Sequence, residues 1–434
     1  MNSRILPAVV ALLLPVCAGA QTTDAATREL IARLLARIDS LEKRVSDLEK
    51  EKTTAAVAAQ PAAPPTAPPP AEHMHEQAPV AEAGVPEAAQ PVYPSLKIAG
   101  FADVDFGATD LHGANGGFGA QSLLLPHSGF ALGQTTLHFT SALAPKVSVF
   151  GEITFSARAD GGTGSPPATG FNAEVERILV RYDLNDYFKI SFGRYHTPIN
   201  YWNTAFHHGQ WLQTTISRPE MTQFGGSFIP VHFIGTLVEG STPAGGLNLN
   251  YNFGVGNGRG QVISRGGDAG DINNNRAWLF NGFIKPNRPF GLQLGGSVYR
   301  DEINPLTGPV SREWIQSAHV VWHKENPELI AEFANVTHKP IFSSETWNSQ
   351  AWYAQIAYRL PGAGRLWKPY YRFEQIHVPR ADALFRAVPT FSGSTSGVRY
   401  DFSSLAAFKL EYRHYWRRDL PALNGIFAQT SFTF

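Results

Sequence analysis

One cysteine occurs in 434 residues, and it sits at position 17 inside an apolar leader. A chain that has shed the leader therefore has no thiol, which excludes a disulfide framework, a cysteine cage for a metal and a cysteine nucleophile. Charge of one sign is also missing, because 36 Lys+Arg stand against 36 Asp+Glu. Such a balance supplies no field to draw nucleic acid or an anionic membrane surface, so no nucleic-acid partner is expected. Beyond residue 20 no apolar run approaches the 18 or so residues that a spanning helix needs. If the chain enters a membrane, it does so as a closed barrel, since only helices and closed barrels satisfy the backbone there. The hydrolase motifs GxSxG and HExxH are absent as well. Ser217 near His207 and His208 lacks a recognisable third partner, and no enzyme activity is expected.

What is present points to strands. Charged residues make up 17% of the chain, below the roughly one quarter usual for a globular protein, while Phe, Trp and Tyr reach 12% and Gly numbers 40. That combination suits a strand-rich protein with much of its surface out of water. Residues 1–20, MNSRILPAVVALLLPVCAGA, have a short basic start at Arg4, an apolar run and small residues at Ala18 and Ala20. They form a secretory signal peptide with cleavage after Ala20. Val16 stands where a lipoprotein would carry a small residue before its cysteine.

Residues 21–52 are expected to form a coiled-coil helix. Ile31, Ile38 and Val45 occupy heptad position a, Leu34, Leu41 and Leu48 position d, with Arg37 and Arg44 at g and Glu42 and Glu49 at e. Two stretches, RIDSLE and RVSDLE, look like the motif of three-stranded coils, whereas β-branched a with Leu at d favours two strands; a trimer is the expectation. Residues 53–94 are rich in Pro and Ala and cannot bury enough surface to fold, so they read as a semi-stiff linker. The HMH at His73–His75 in such a tract is not expected to hold a metal.

From residue 95 to 434 the pattern is all-β: alternating strands, about sixteen of them, forming a transmembrane antiparallel barrel. They begin near Leu96, Phe130, Val147, Phe171, Phe188, Phe228, Leu247, Arg276, Phe290, Ser311, Leu329, Trp352, Trp367, Phe391, Leu405 and Gly425. Short turns such as ALAPK, DLND, KENPE and DFSS alternate with mostly longer connections, which places both chain ends at the periplasmic rim. Over Ala406–Arg417 the even residues are apolar or aromatic and Lys409, Glu411, Arg413 and Arg417 are odd. A charge facing lipid near the midplane costs about 2–4 kcal/mol, so the odd set should face the lumen. Trp314 and Trp322 share one face at a spacing that suits two aromatic girdles. Glu174, Glu176, Arg177 and Arg181 do not share a face, which leaves 14, 16 or 18 strands open.

The chain ends NGIFAQTSFTF, alternating to its last residue. With the signal peptide and the strands, terminal Phe434 and Phe432 resemble the bacterial outer-membrane porins, whose last strand is read by the barrel assembly machinery; Thr430 departs from the usual apolar residue. The order of coiled coil, Pro-rich linker and barrel is similar to the trimeric porins with a periplasmic coiled-coil extension, related to phosphate-selective and dicarboxylate-type porins. The resemblance implies a homotrimer in the outer-membrane lipid of a Gram-negative bacterium, with the coil in the periplasm. It implies passive diffusion of small hydrophilic, often anionic solutes, without a cofactor.

In the porin pattern the third outer loop folds inward and narrows the pore. Here that loop is residues 193–226, with His196, Trp202, His207, His208, Arg218 and Glu220 as constriction candidates. His207 and His208 are adjacent and should point to opposite sides, so they are not expected to share a metal. Opposite the loop, Arg359, Lys368, Arg372, Lys409, Arg413 and Arg417 form a candidate basic wall that would favour anions. Glu374 and Glu411 lie on the same faces, and a neutral or cation-preferring lumen stays open. An alternative role is an outer-membrane anchor or envelope tether, the coil reaching about 40 Å at 1.5 Å per residue.

Overall fold

The computed structural model describes residues 93–110, 128–157, 171–206, 208–223 and 228–434. The expected signal peptide, coiled coil and nearly all of the linker lie outside the described residues, as does His207. Sixteen strands make up the architecture: β1 (Ser95–Thr109), β2 (Gly129–Ala144), β3 (Val147–Ala157), β4 (Phe171–Asn185), β5 (Phe188–His196), β6 (His232–Thr242), β7 (Leu249–Asn257) and β8 (Ala277–Ile284). The series continues with β9 (Leu292–Ile303), β10 (Ser311–His323), β11 (Glu328–Pro340), β12 (Trp347–Ala357), β13 (Trp367–His377), β14 (Phe391–Asp401), β15 (Ala406–Arg417) and β16 (Leu423–Thr433). Every strand pairs antiparallel with its chain neighbours, and β16 pairs with β1 to close the barrel. Closure leaves no edge whose N–H and C=O groups would be stranded in lipid.

The two faces separate as the sequence period requires. On β15, Lys409 and Arg413 are fully buried and Glu411 is 1% exposed, while Leu410, Tyr412 and Trp416 are more than 40% exposed. Lumenal charge therefore sits behind an apolar outer belt that lipid would cover. Trp314 and Trp322 both lie on the outer face of β10, and Trp314 meets Trp278 of β8 edge to face at 5.6 Å.

The strand that read irregularly contains a bulge. Glu152 pairs with Arg177, but the next residue, Ile153, pairs with Val175, so Glu176 is an extra residue in β4. An extra residue switches the parity of everything that follows it. Glu174, Glu176, Arg177 and Arg181 can then all turn inward, and the strand count is sixteen. Two strands start elsewhere than expected. β6 begins at His232, because Phe228 and Ile229 belong to the end of the long loop, where Phe228 packs on Phe385 at 5.5 Å. β12 begins at Trp347, because Asn348 and Gln350 bond to Thr337 and Asn335 on the neighbouring strand, a polar outer surface that reads as loop in sequence.

Pairing continues past the last strand residue. Phe434 donates its N–H to Gly100 O at 3.0 Å and accepts from Gly100 N–H at 2.9 Å. Phe432 and Phe434 lie on the outer face, ring centroids 6.4 Å apart. At the opposite kind of connection, the tight β4–β5 turn is held by Asn185, whose Oδ1 accepts from Tyr187 and Phe188 N–H at 3.0 and 2.9 Å.

Candidate functional site

The connection between β5 and β6 does not remain outside. It enters the barrel, makes one helical turn, α1 (Trp202–Ala205), and later a 3-10 turn at Glu220–Thr222. A segment taken into a lumen loses water from its backbone, and each N–H and C=O then needs a partner. Inward charges on the wall provide them, acids meeting N–H groups and bases meeting carbonyls.

Across the lumen, Glu332 of β11 accepts with Oε1 from the N–H groups of Tyr201 and Trp202, at 2.6 and 2.7 Å. Ser297 of β9 accepts from Asn200 N–H at 3.0 Å. Trp202 is fully buried, 4.8 Å from the Phe206 ring and 6.0 Å from Tyr353. These contacts bring the first half of the loop against β9, β11 and β12.

The second half is held by β13, β14 and β15. Arg372 donates to Ser217 O at 2.8 Å, Ser217 Oγ at 2.6 Å and Arg218 O at 3.0 Å, with its Nε on Glu374 at 3.1 Å. Arg399 donates to Trp211 O and Gln213 O at 2.6 and 3.0 Å. Lys409 donates to Thr215 O at 3.1 Å and also to Gln210 O. In the opposite sense, Glu411 accepts from Ile216 N–H at 2.9 Å and Glu374 from Glu220 N–H at 2.5 Å.

This arrangement corrects one expectation. The basic residues were to face the loop across the lumen, whereas Arg372 and Lys409 lie beneath it and carry its backbone. Arg413, fully buried, is 2.5 Å from Glu411 and stacks 4.0 Å from the Phe427 ring centre. Arg359 and Lys368 stand nearer the turn rim: Arg359 pairs with Glu325 at 2.9 Å and Asp401 at 2.5 Å, and Lys368 with Glu325 and Glu328 at 3.0 and 2.8 Å. Arg417 is half-buried at the loop end of β15. Arg399, Glu332 and Glu374 were missed as loop anchors. Arg399 does alternate with Thr395 and Gly397 on one face, but nothing in the sequence says that a loop returns to it.

The remaining constriction candidates separate into two groups. Glu220 sits by the wall just described, where burial followed by the nearby Glu374 charge pushes it up to about 7. Arg218 gives that wall only its carbonyl and brings its charge near Glu176 and His196; burial pulls its basicity down, with the Glu176 charge opposing. His196 and His208 lie at the other side, near β4. His208 Nε2 is 3.1 Å from Glu176 Oε2, and His196 Nε2 is 3.4 Å from Glu152 Oε2. His232, not singled out from sequence, joins them, its Nε2 2.8 Å from the same Glu176 oxygen.

No family model matches the chain, and no curated protein matches it. Solved structures do. The anion-selective porin of Comamonas acidovorans aligns over 79% of this chain and 100% of its own, with TM-score 0.56 and 12% identity. The outer membrane channel DcaP of Acinetobacter baumannii aligns over 79% and 97%, with TM-score 0.54 and 10% identity. OmpF of Salmonella typhi, solved with daunomycin, aligns over 78% and 97%, with TM-score 0.51 and 11% identity. At such identities the likeness establishes a shared fold, which in this chain is a closed barrel of sixteen strands.

Proposed function

We propose that this protein is an outer-membrane porin, a water-filled channel for passive diffusion of small hydrophilic solutes. The observation that carries the reading is the loop folded into the lumen of a sixteen-stranded barrel and bonded to both sides of its wall. Barrels of this size enclose an aqueous channel, and an inward loop narrows it. Anionic solutes are modestly favoured. Most basic groups of the wall are engaged by the loop or by acids, but Arg417 reaches toward Glu220, whose burial favours the neutral acid. The fold shared with an anion-selective porin is in keeping with this. The functional unit is a homotrimer, held also by the coil of residues 21–52, which raises the local concentration of its partners. Residues 1–20 direct export, and Phe432 and Phe434 form the signal for the barrel assembly machinery.

Reconstitution into planar bilayers tests the reading. Single-channel current in three equal steps is expected, with a reversal potential in a salt gradient displaced toward the anion. An insertion without conductance rejects the porin. Deleting residues 24–94 separates it from an envelope tether, because a channel still conducts without them.

A further inference from the structure

Three imidazoles meet where the lumenal loop leaves the wall and returns to it. His196, the last residue of β5, and His232, the first of β6, are cross-strand partners. His208 folds back from the body of the loop, its ring 5.8 Å from His196, and the rings of His196 and His232 are 5.7 Å apart. Each ring brings one nitrogen within 4.8 Å of the others. Glu176 projects into the same place because of the bulge in β4, and one of its oxygens lies between the Nε2 atoms of His208 and His232.

We propose that His196, His208 and His232, with Glu176 as fourth ligand, form a binding site for a divalent transition-metal ion of the zinc type. Imidazole nitrogen and carboxylate oxygen are the donors that zinc accepts in a tetrahedral set. With Zn–N of about 2.0–2.1 Å, ligand nitrogens stand roughly 3.3 Å apart, so the rings close by about 1.5 Å at most on loading. The Glu176 oxygen already lies at such a spacing from two of them. His208 Nδ1 faces Gln134 Oε1 at 3.1 Å.

The surroundings set the cost. Glu152, Glu174, Glu176 and Asp268 stand against Arg177, Arg194, Arg218 and Arg265, so the cluster has no excess positive charge to repel an ion. Arg194 Nη2 lies 3.0 Å from His232 Nδ1, and a guanidinium only donates, so His232 carries its proton on Nε2. Loading the ion at Nε2 shifts that proton to Nδ1, with no net release from this neutral ring, and the new Nδ1–H moves Arg194 away. Arg194 keeps Asp268 at 3.0 Å and Glu176 O at 2.7 Å. His232 is 13% exposed in its side chain, which gives the ion an entry. A bound ion would tie the loop's start, body and end together.

The test uses the full-length protein in detergent, stripped with EDTA and titrated with cobalt(II) and then zinc(II). One cobalt per chain with the intense visible absorption of tetrahedral coordination, displaced by zinc, is expected. His208→Gln and Glu176→Gln should each weaken binding tenfold or more, with native heat-modifiable gel mobility confirming a folded barrel. A His73→Ala/His75→Ala double variant, which removes the closely spaced histidines of the linker, should bind normally. Binding that is lost with His73 and His75 but kept in His208→Gln overturns the site, as does the absence of stoichiometric cobalt. X-ray absorption at the zinc edge of the unmutated protein provides a check that needs no variant: a shell without imidazole scattering also overturns it.

Discussion

Arg372 Nη2 donates to Ser217 Oγ at 2.6 Å across 155 positions of sequence. That bond, with the two to backbone carbonyls beside it, makes one wall arginine a clamp for the loop. Arg372→Ala removes them together and leaves the buried Glu374 without its guanidinium. A loss of roughly 3–5 kcal/mol is expected, as for other broken buried pairs. Thermal unfolding should show a lowered midpoint, and single-channel records should become larger and noisier. Arg372→Lys should not restore the parent behaviour, since an ammonium cannot deliver the planar fork. Unchanged unfolding in Arg372→Ala would reject the clamp.

Glu220 is half-buried in the loop, its pKa raised to about 7 first by burial and then by Glu374, with Arg417, Arg372 and Arg413 opposing. A carboxyl that titrates higher when folded binds its proton more tightly there than in the unfolded chain. Its contribution is thus fully present below pH 4.5 and is lost as pH rises through about 7. The amount is at most about 3 kcal/mol, and less to the extent that water reaches the side chain. Melting temperature followed from pH 4.5 to 8 should fall less in Glu220→Gln than in the parent. Parallel profiles would remove Glu220 as the source.

The closing seam depends on Gly100. A Cβ built there would stand 2.6 Å from the Phe434 ring and 2.9 Å from the carbonyl oxygen of Thr136. The ring can move, but the carbonyl belongs to the β1–β2 ladder and cannot. Gly100→Val should cost about 1–3 kcal/mol and lower the yield of heat-modifiable barrel on gels. Phe434→Ala in the same background should relieve it only in part. Normal yield of Gly100→Val would show that the seam tolerates a side chain.

Arg259 reaches Glu313 with its Nε at 2.8 and 3.1 Å, and His338 bridges Glu313 and Asp382 at 2.9 Å on either side. Both members of the Arg259–Glu313 pair are buried. Arg259→Met should destabilise by about 3–5 kcal/mol because Glu313 keeps its charge without that partner. The double variant Arg259→Met/Glu313→Gln should recover a sizeable part. Urea titration of both single variants and the double decides it, since additive losses would mean that the two side chains do not interact.

The barrel was largely legible because a strand's period of two is imposed by the backbone and needs no knowledge of neighbours. Lys409, Glu411 and Arg413 alternating with Phe408, Leu410 and Tyr412 state the two faces of β15 directly. The same logic failed at Glu176, where one inserted residue reverses the faces, and a bulge shows only when the partner strand is in register beside it. It also failed at Asn348 and Gln350, whose polarity reads as loop until the neighbouring strand is seen to carry Asn335 and Thr337 alongside.

The site was legible only as a set of residue types. Composition and alternation by themselves determined that Arg372, Lys409 and Arg413 face inward, because the outer surface must be apolar for the chain to rest in lipid. What those charges do was decided by the tertiary structure: the loop of residues 197–231 folds back on the wall, and its dehydrated N–H and C=O groups take Arg372, Arg399, Lys409, Glu332, Glu374 and Glu411 as partners. The meeting of His196, His208 and His232 is of the same kind. Side-chain period is local and written in the chain, whereas the partner that a buried polar group finds depends on where a distant segment comes to lie.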